Sequence, residues 1–175
     1  MKIFLLRHAT PNLERKDIPY DILPGPELSP KGVVEAHRLG DFLKLEGLQK
    51  LYSSPFERAA FTARIIADIN GIPFIEEPRL VEWRMVDEPE ANVRKRMISI
   101  FQQSVEESAE FGPVGLVSHG GPLALLLLEL GFPREKLAPY RKMFDTTNPL
   151  PPAGAWKIEQ GIGVAWNFEL AFTPK

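Results

Sequence analysis

The chain has 175 residues, 44% of them hydrophobic and 25% charged, which suits one globular domain with a sizeable core. Lys and Arg number 21 against 23 Asp and Glu, a net charge of −2, so no basic excess points to a nucleic-acid partner. With no Cys, disulfides, thiolate metal sites and cysteine nucleophiles are excluded together, and cytoplasm is the expected compartment.

The apolar start Met1 to Leu6 is cut short by Arg7 and His8, too early for a signal-peptide core. Residues Lys2 to Leu6 lack helical spacing and predict a strand buried on both faces, with Arg7 and His8 at its C-terminal end. From Thr10 to Glu27 the chain carries Pro11, Pro19, Pro24, Gly25 and Pro26 and reads as a long surface loop. Ser29 is a cap with Pro30 at the first helical position, and Val33, Ala36, Leu39 and Leu43 predict a helix to about Glu46. Within it, His37 is expected at the surface.

Gln49 to Tyr52 reads as a strand. Ser54-Pro55-Phe56-Glu57 has the pattern of a capping box, in which Glu57 reaches back toward Ser54. The helix after it runs through Ala59, Thr62, Ile65, Ile66 and Ile69 to Gly71, with Arg58 in its first turns. Pro73 to Ile75 is a further short strand, followed by a loop that reads as flexible and holds Glu82 and Trp83. Val93, Met97, Ile100, Phe101 and Val105 mark one face of a helix from near Pro89 to Gly112.

Pro113 to Ser118 gives a strand ending at His119, and Gly120-Gly121-Pro122 opens a Leu-rich helix to Gly131. Its Leu123 to Leu130 run falls far short of the roughly 20 apolar residues needed to cross a bilayer, so no membrane partner is expected. Pro133 to Pro152 reads as irregular, while Ala155 to Ile158 and Val164 to Phe172 are β-like runs that finish the sheet. This alternation predicts a single α/β domain over residues 1–175, a three-layer α/β/α sandwich with a mainly parallel sheet. Ligands then bind beyond the C-terminal strand ends, where His8 and His119 both fall.

An imidazole can attack phosphorus directly, splitting one difficult transfer into two easier steps. Phosphoryl transfer spreads negative charge over the equatorial oxygens, and Arg7 and Arg58 are forked donors suited to it. His119, in cationic form, and the free amides at Gly120 and the following helix start would complete an anion pocket. Glu82 is the candidate acid and base for the leaving oxygen and the later water. Singly, each residue has an ordinary structural explanation: a capping histidine, a surface arginine, a solvated carboxylate. It is their combination that points to chemistry. Three His without Cys, and with no helical ligand spacing, give no metal site, and no P-loop pattern occurs.

Five spaced segments resemble the histidine phosphatase, or phosphoglycerate-mutase-like, superfamily. Leu6-Arg7-His8-Ala9-Thr10 is similar to its Arg-His-Gly motif, with Ala9 in place of the commonest Gly. Leu28-Ser29-Pro30-Lys31-Gly32 with Glu35-Ala36 is similar to its first helix, Glu35 replacing the usual Gln. Ser53 to Ala59 with Thr62-Ala63 resembles its Ser-Ser-x-x-x-Arg-Ala-x-x-Thr-Ala motif closely. Leu80-Val81-Glu82 resembles its Leu-x-Glu, without the Gly-x-Trp-Glu-Gly that often follows, and Val117 to Gly121 its second-histidine motif.

The resemblance implies that His8 is the phosphorylated residue, Arg7, Arg58 and His119 hold the phosphate, and Glu82 donates the proton. The superfamily's fold and nucleophile do not choose the substrate, and the expectation here is a phosphate monoester of a small metabolite, with no cofactor. Substrate contacts are expected from Asn12, Glu14 and Arg15 in the Pro-rich loop and from Arg84. A mutase, a protein phosphohistidine phosphatase and a non-catalytic phosphate-binding regulator are the alternatives, and a homodimer is one possible assembly. The compact chain favours hydrolysis over mutase chemistry, and the retained Glu82 favours an ester over phosphohistidine as substrate.

Overall fold

The computed structural model describes residues 1–144, 148–160 and 165–174. Six strands form one sheet: β1 (Lys2–Arg7), β2 (Lys50–Ser53), β3 (Phe74–Glu76), β4 (Val114–Ser118), β5 (Ala155–Gln160) and β6 (Trp166–Phe172). Their spatial order is β3-β2-β4-β1-β5-β6. The first four run parallel, while β5 and β6 join antiparallel at the β1 side. The helices are α1 (Pro30–Leu45), α2 (Glu57–Asn70), α3 (Glu90–Phe111), α4 (Gly120–Glu129) and α5 (Arg134–Phe144).

Strand alternation divides the interior into two cores. Ile3 and Leu5 of β1, with Val114 and Leu116 of β4, face Val93, Met97, Ile100 and Phe101 of α3 and Leu123 and Leu126 of α4. Phe4, Leu6, Leu51 and Val117 point the other way, onto Ala36, Leu39 and Leu43 of α1 and Ala59, Ala63 and Ile66 of α2. Helices thus cover both faces, as a sheet buried on both sides requires. The expected three-layer α/β domain is what the chain forms.

The chain leaves β1 toward the α1 face and leaves β4 toward the α4 face, and these two strands are hydrogen-bonded neighbours. That divergence opens a crevice at their C-terminal ends, the place where α/β sheets bind ligands. His8 and His119 stand at its two sides.

Two local expectations differ from what forms. The segment after Pro133 is not wholly irregular, because it contains α5. Residues 145–147 of that segment and Val164, the expected start of the last strand, lie outside the described residues. No capping box forms at α2: the cap residue is Phe56, without a side-chain bond, while Ser54 Oγ accepts from Phe56 N at 3.3 Å and turns toward His119. Ser29 does cap α1, accepting from Gly32 N at 3.0 Å. Among the described residues no helix is long and apolar enough to cross a membrane.

Leu5, fully buried at the centre of the sheet, and Leu45, 89% exposed at the end of α1, make a matched pair. Leu5→Ala is expected to lower unfolding stability by about 2–5 kcal/mol and Leu45→Ala by less than about 0.5 kcal/mol, read by urea denaturation.

Candidate active site

His8 is delivered by the end of β1 and fixed on three sides. Its backbone N–H donates to Ser118 O at 3.0 Å and its carbonyl accepts from Ala153 N at 3.1 Å. Its Nδ1 lies 2.8 Å from Ala9 O. A carbonyl only accepts, so Nδ1 carries the proton and Nε2 keeps its lone pair. The neighbouring Arg58 Nε donates to that same Nε2 at 3.3 Å, which demands the same tautomer. Burial, and then the charges of Arg58 and Arg7, hold the His8 pKa well below the usual histidine range. The ring is a neutral base with its nucleophilic nitrogen turned toward the cations.

Arg58, fully buried, joins the parts of the site. Besides His8, its Nη1 donates to Tyr20 O at 2.9 Å and its Nη2 lies 3.2 Å from His119 Nδ1. The guanidinium also stacks under the rings of Tyr20, at 4.1 Å, and Phe56, at 4.7 Å. The loop between β1 and α1 therefore does more than cover the surface, since its Tyr20 end is tied to the centre of the pocket. Gly25 has φ +69°, and a Cβ there would meet Arg58 Nη1 at 2.9 Å, so this stretch needs a glycine to lie so close.

His119 caps α4 through its backbone, while its Nε2 lies 2.8 Å from Ser54 Oγ. Accepting from Arg58 at Nδ1 leaves Nε2–H to donate to Ser54, which describes a neutral ring. Burial, then the nearby His8, Arg58 and Arg7, hold its pKa well below the ordinary value. The expectation of a cationic His119 is corrected accordingly: burial, and after it the neighbouring His8, Arg58 and Arg7, favour the neutral ring.

Glu82 completes the set. Its Oε2 lies 3.6 Å from Arg58 Nη2 and 3.5 Å from His119 Nδ1, and its Oε1 accepts from Trp83 N at 3.0 Å. Burial raises its pKa above the ordinary carboxylate value, against the opposing pull of the Trp83 amide and the arginines. The loop that carries it is braced, contrary to its reading as flexible. Arg96 Nη1 donates to Arg79 O at 2.7 Å and Val81 O at 2.9 Å, Arg96 pairs with Glu88, and Ser118 Oγ donates to Leu80 O at 2.8 Å.

Arg7 lines the same cavity, of about 570 Å³, and its Nη1 donates to Leu150 O at 2.8 Å. Gly120 lines it as well, and a Cβ there would fall on the side-chain amide of Asn148, so only glycine fits. The structure thus brings together His8, Arg7, Arg58, His119, Glu82 and Gly120. Asn12 is half-buried, its Oδ1 accepting from Glu14 N at 3.1 Å, and the loop's contribution to the cavity wall comes from Tyr20 and Asp21 instead. Arg15 pairs with Asp17 and Glu27, and Arg84 with Asp87. Tyr20, Ser54 and Asn148 are site residues that sequence reasoning missed: nothing in local spacing links them to His8.

The model of the histidine phosphatase superfamily, branch 1, matches residues 3–90. The chain belongs to the histidine phosphatase superfamily. Within this superfamily, 83 residues are 36% identical to a 2,3-bisphosphoglycerate-dependent phosphoglycerate mutase of Thermoplasma acidophilum, covering 47% of this chain and 42% of that one. Similarly, 82 residues are 35% identical to phosphoserine phosphatase 1 of Hydrogenobacter thermophilus, covering 47% and 38%. The chain thus matches less than half the length of these relatives. A mycobacterial glucosyl-3-phosphoglycerate phosphatase, solved with VO3, superposes with a TM-score of 0.73 at 19% identity over 96% of this chain and 97% of that one, a likeness of fold.

Departures from the superfamily's usual residues are accommodated locally. Ala9 is fully buried and its N–H donates to Thr62 Oγ1 at 3.0 Å, while that hydroxyl donates to Arg58 O at 2.7 Å. Glu35 Oε2 accepts from Thr10 N at 2.9 Å. Thr62 therefore links the strand end that carries His8 to the helix turn that carries Arg58. Thr62→Val keeps the shape but leaves the buried Ala9 N–H unpaired, and is expected to cost about 1–3 kcal/mol of unfolding stability in urea titration.

Proposed function

We propose that the protein is a cytoplasmic phosphatase that hydrolyses phosphate monoesters of small metabolites through a phosphoryl group held on Nε2 of His8. The observation that carries this reading is the orientation of His8: Nδ1 is committed to Ala9 O, and Nε2 meets the Arg58 guanidinium that would bind the incoming phosphate. A nucleophile and its electrophile's counter-charge converge on one point.

In the first step the Nε2 lone pair attacks phosphorus, the P–O ester bond breaks, and protonated Glu82 gives its proton to the departing oxygen. Arg7, Arg58 and the amides at the start of α4 carry the charge on the equatorial oxygens. The incoming anion also favours a proton on His119, which then becomes a further donor. In the second step water attacks phosphorus, its proton passes to the Glu82 carboxylate, the N–P bond breaks, and orthophosphate leaves. The raised Glu82 pKa suits a group that must give and then retake a proton. This balance favours an ester as substrate, because a phosphohistidine nitrogen departs with less need of an acid.

The mutase reading draws on the similarity to the Thermoplasma protein. It predicts dependence on a bisphosphate primer, which hydrolysis by water does not need.

The test is hydrolysis of p-nitrophenyl phosphate in EDTA, without primer, as a function of pH. Wild type is expected to turn over, His8→Ala to fall to background, and Glu82→Gln to be slower by about 100-fold or more. Activity should decline as pH falls through the lowered His8 pKa, which protonates the nucleophile, and as pH rises through the raised Glu82 pKa, which removes the acid. Glu82→Gln should lose the second decline while the substrate's own ionisation persists in both enzymes. Activity that needs metal, or that survives in His8→Ala, contradicts the proposal.

A further inference from the structure

The cavity is far larger than a phosphoryl group and falls in the range that holds a whole small ligand. Its phosphate end is made by Arg7, Glu82 and Gly120, and beyond them the wall is lined by Trp83, Leu125 and Arg141. Trp83 and Leu125 offer an aromatic and an aliphatic surface for the body of a leaving group. Trp83 is held in place by its own Nε1, which donates to Glu88 O at 2.9 Å.

Arg141 is unlike the other arginines around the site. Arg58 bonds to His8, Tyr20 and His119, Arg79 pairs with Glu77, and Arg96 pairs with Glu88. The Nε atoms of Arg7, Arg84 and Arg141 are all shut off from solvent without a hydrogen-bond partner, but Arg7 donates to Leu150 O and Arg84 pairs with Asp87, whereas among the described residues the Arg141 side chain makes neither a hydrogen bond nor an ion pair. It stands in the last turn of α5 beside Lys142, a place where cations offset the helix dipole. That role explains exposed Lys142 but not the half-buried Arg141 turned into the cavity. A buried donor without an acceptor costs free energy, which a ligand bearing the acceptor returns.

We propose that Arg141 is a specificity-determining residue that binds a carboxylate on the leaving group, so that the substrate is a phosphate monoester carrying an apolar body and a carboxylate end. This rests on the reading of the site as a phosphatase. A planar fork of N–H donors matches a carboxylate in two parallel bonds, which a neutral oxygen cannot exploit.

The experiment compares 3- and 4-carboxyphenyl phosphate, each with its carboxamide. Wild type should favour an acid over its amide by about tenfold or more in kcat/KM. In Arg141→Gln that ratio should fall to about one, and in Arg141→Lys it should be partly restored. Circular dichroism and thermal melting establish that the variants are folded. The dissociation constants of the same four compounds, read from intrinsic tryptophan fluorescence, should show the same preference, so the inference is decided even in a protein without turnover. Equal affinity and turnover for acids and amides in wild type overturns it, as does a preference that survives in Arg141→Gln. Absence of turnover with the preference in binding intact refutes the phosphatase reading alone.

Discussion

Arg58 is a permanent cation held without solvent contact, and much of the molecule can be understood as the means of keeping it there. Its guanidinium is shared among the His8 ring, the Tyr20 carbonyl and the His119 ring, with two aromatic faces against it and Glu82 within 3.6 Å. Isolated burial of such a charge is prohibitive, and full hydrogen bonding makes it tolerable. The same burial shapes the protonation of its neighbours. Loss of solvent first, and the charge of Arg58 after it, hold the His8 and His119 pKa values down, while burial raises that of Glu82. In the proposed reaction this one buried cation faces the attacking nitrogen and supplies the charge that would receive the phosphate.

The fold supplies this position through topology. Because α1 and α4 leave neighbouring strands on opposite faces of the sheet, the ends of β1 and β4 diverge, and side chains at His8 and His119 face each other with ring centroids 5.1 Å apart. β2 ends beside them, placing Ser54 under His119 and starting α2 so that Arg58 points inward. The two cores fix the three strand ends rigidly, and the antiparallel β5 extends the same sheet. The site's geometry rests on strand ends and helix starts, with two braced loops adding Tyr20 and Glu82.

Much of this was legible in the chain. The apolar runs ending at His8 and His119 carry the two-sided burial of central strands, and the spacing of α1, α2 and α3 matches the faces they bury. Other features were masked by competing physics. Pro139 forbids one helical N–H, yet α5 forms, because Leu137 is buried in the core and Tyr140 packs against Phe132 and Trp156. Ser54 has the local pattern of a cap, but its hydroxyl is taken by a histidine 65 residues away. The bracing of Glu82 by Arg96 and the tie between Tyr20 and Arg58 depend on contacts distant in sequence, which no local periodicity encodes.

The central claim is covalent: phosphorus is transferred to Nε2 of His8. The most direct measurement is rapid quenching of the protein with a radiolabelled phosphate ester into alkali, which preserves phosphohistidine, followed by peptide mapping. Acid-labile label on the peptide containing His8, absent from His8→Ala and longer-lived in Glu82→Gln, is the predicted result. Turnover with no labelled protein at any quench time, or label that resides on His119 instead, would contradict the account.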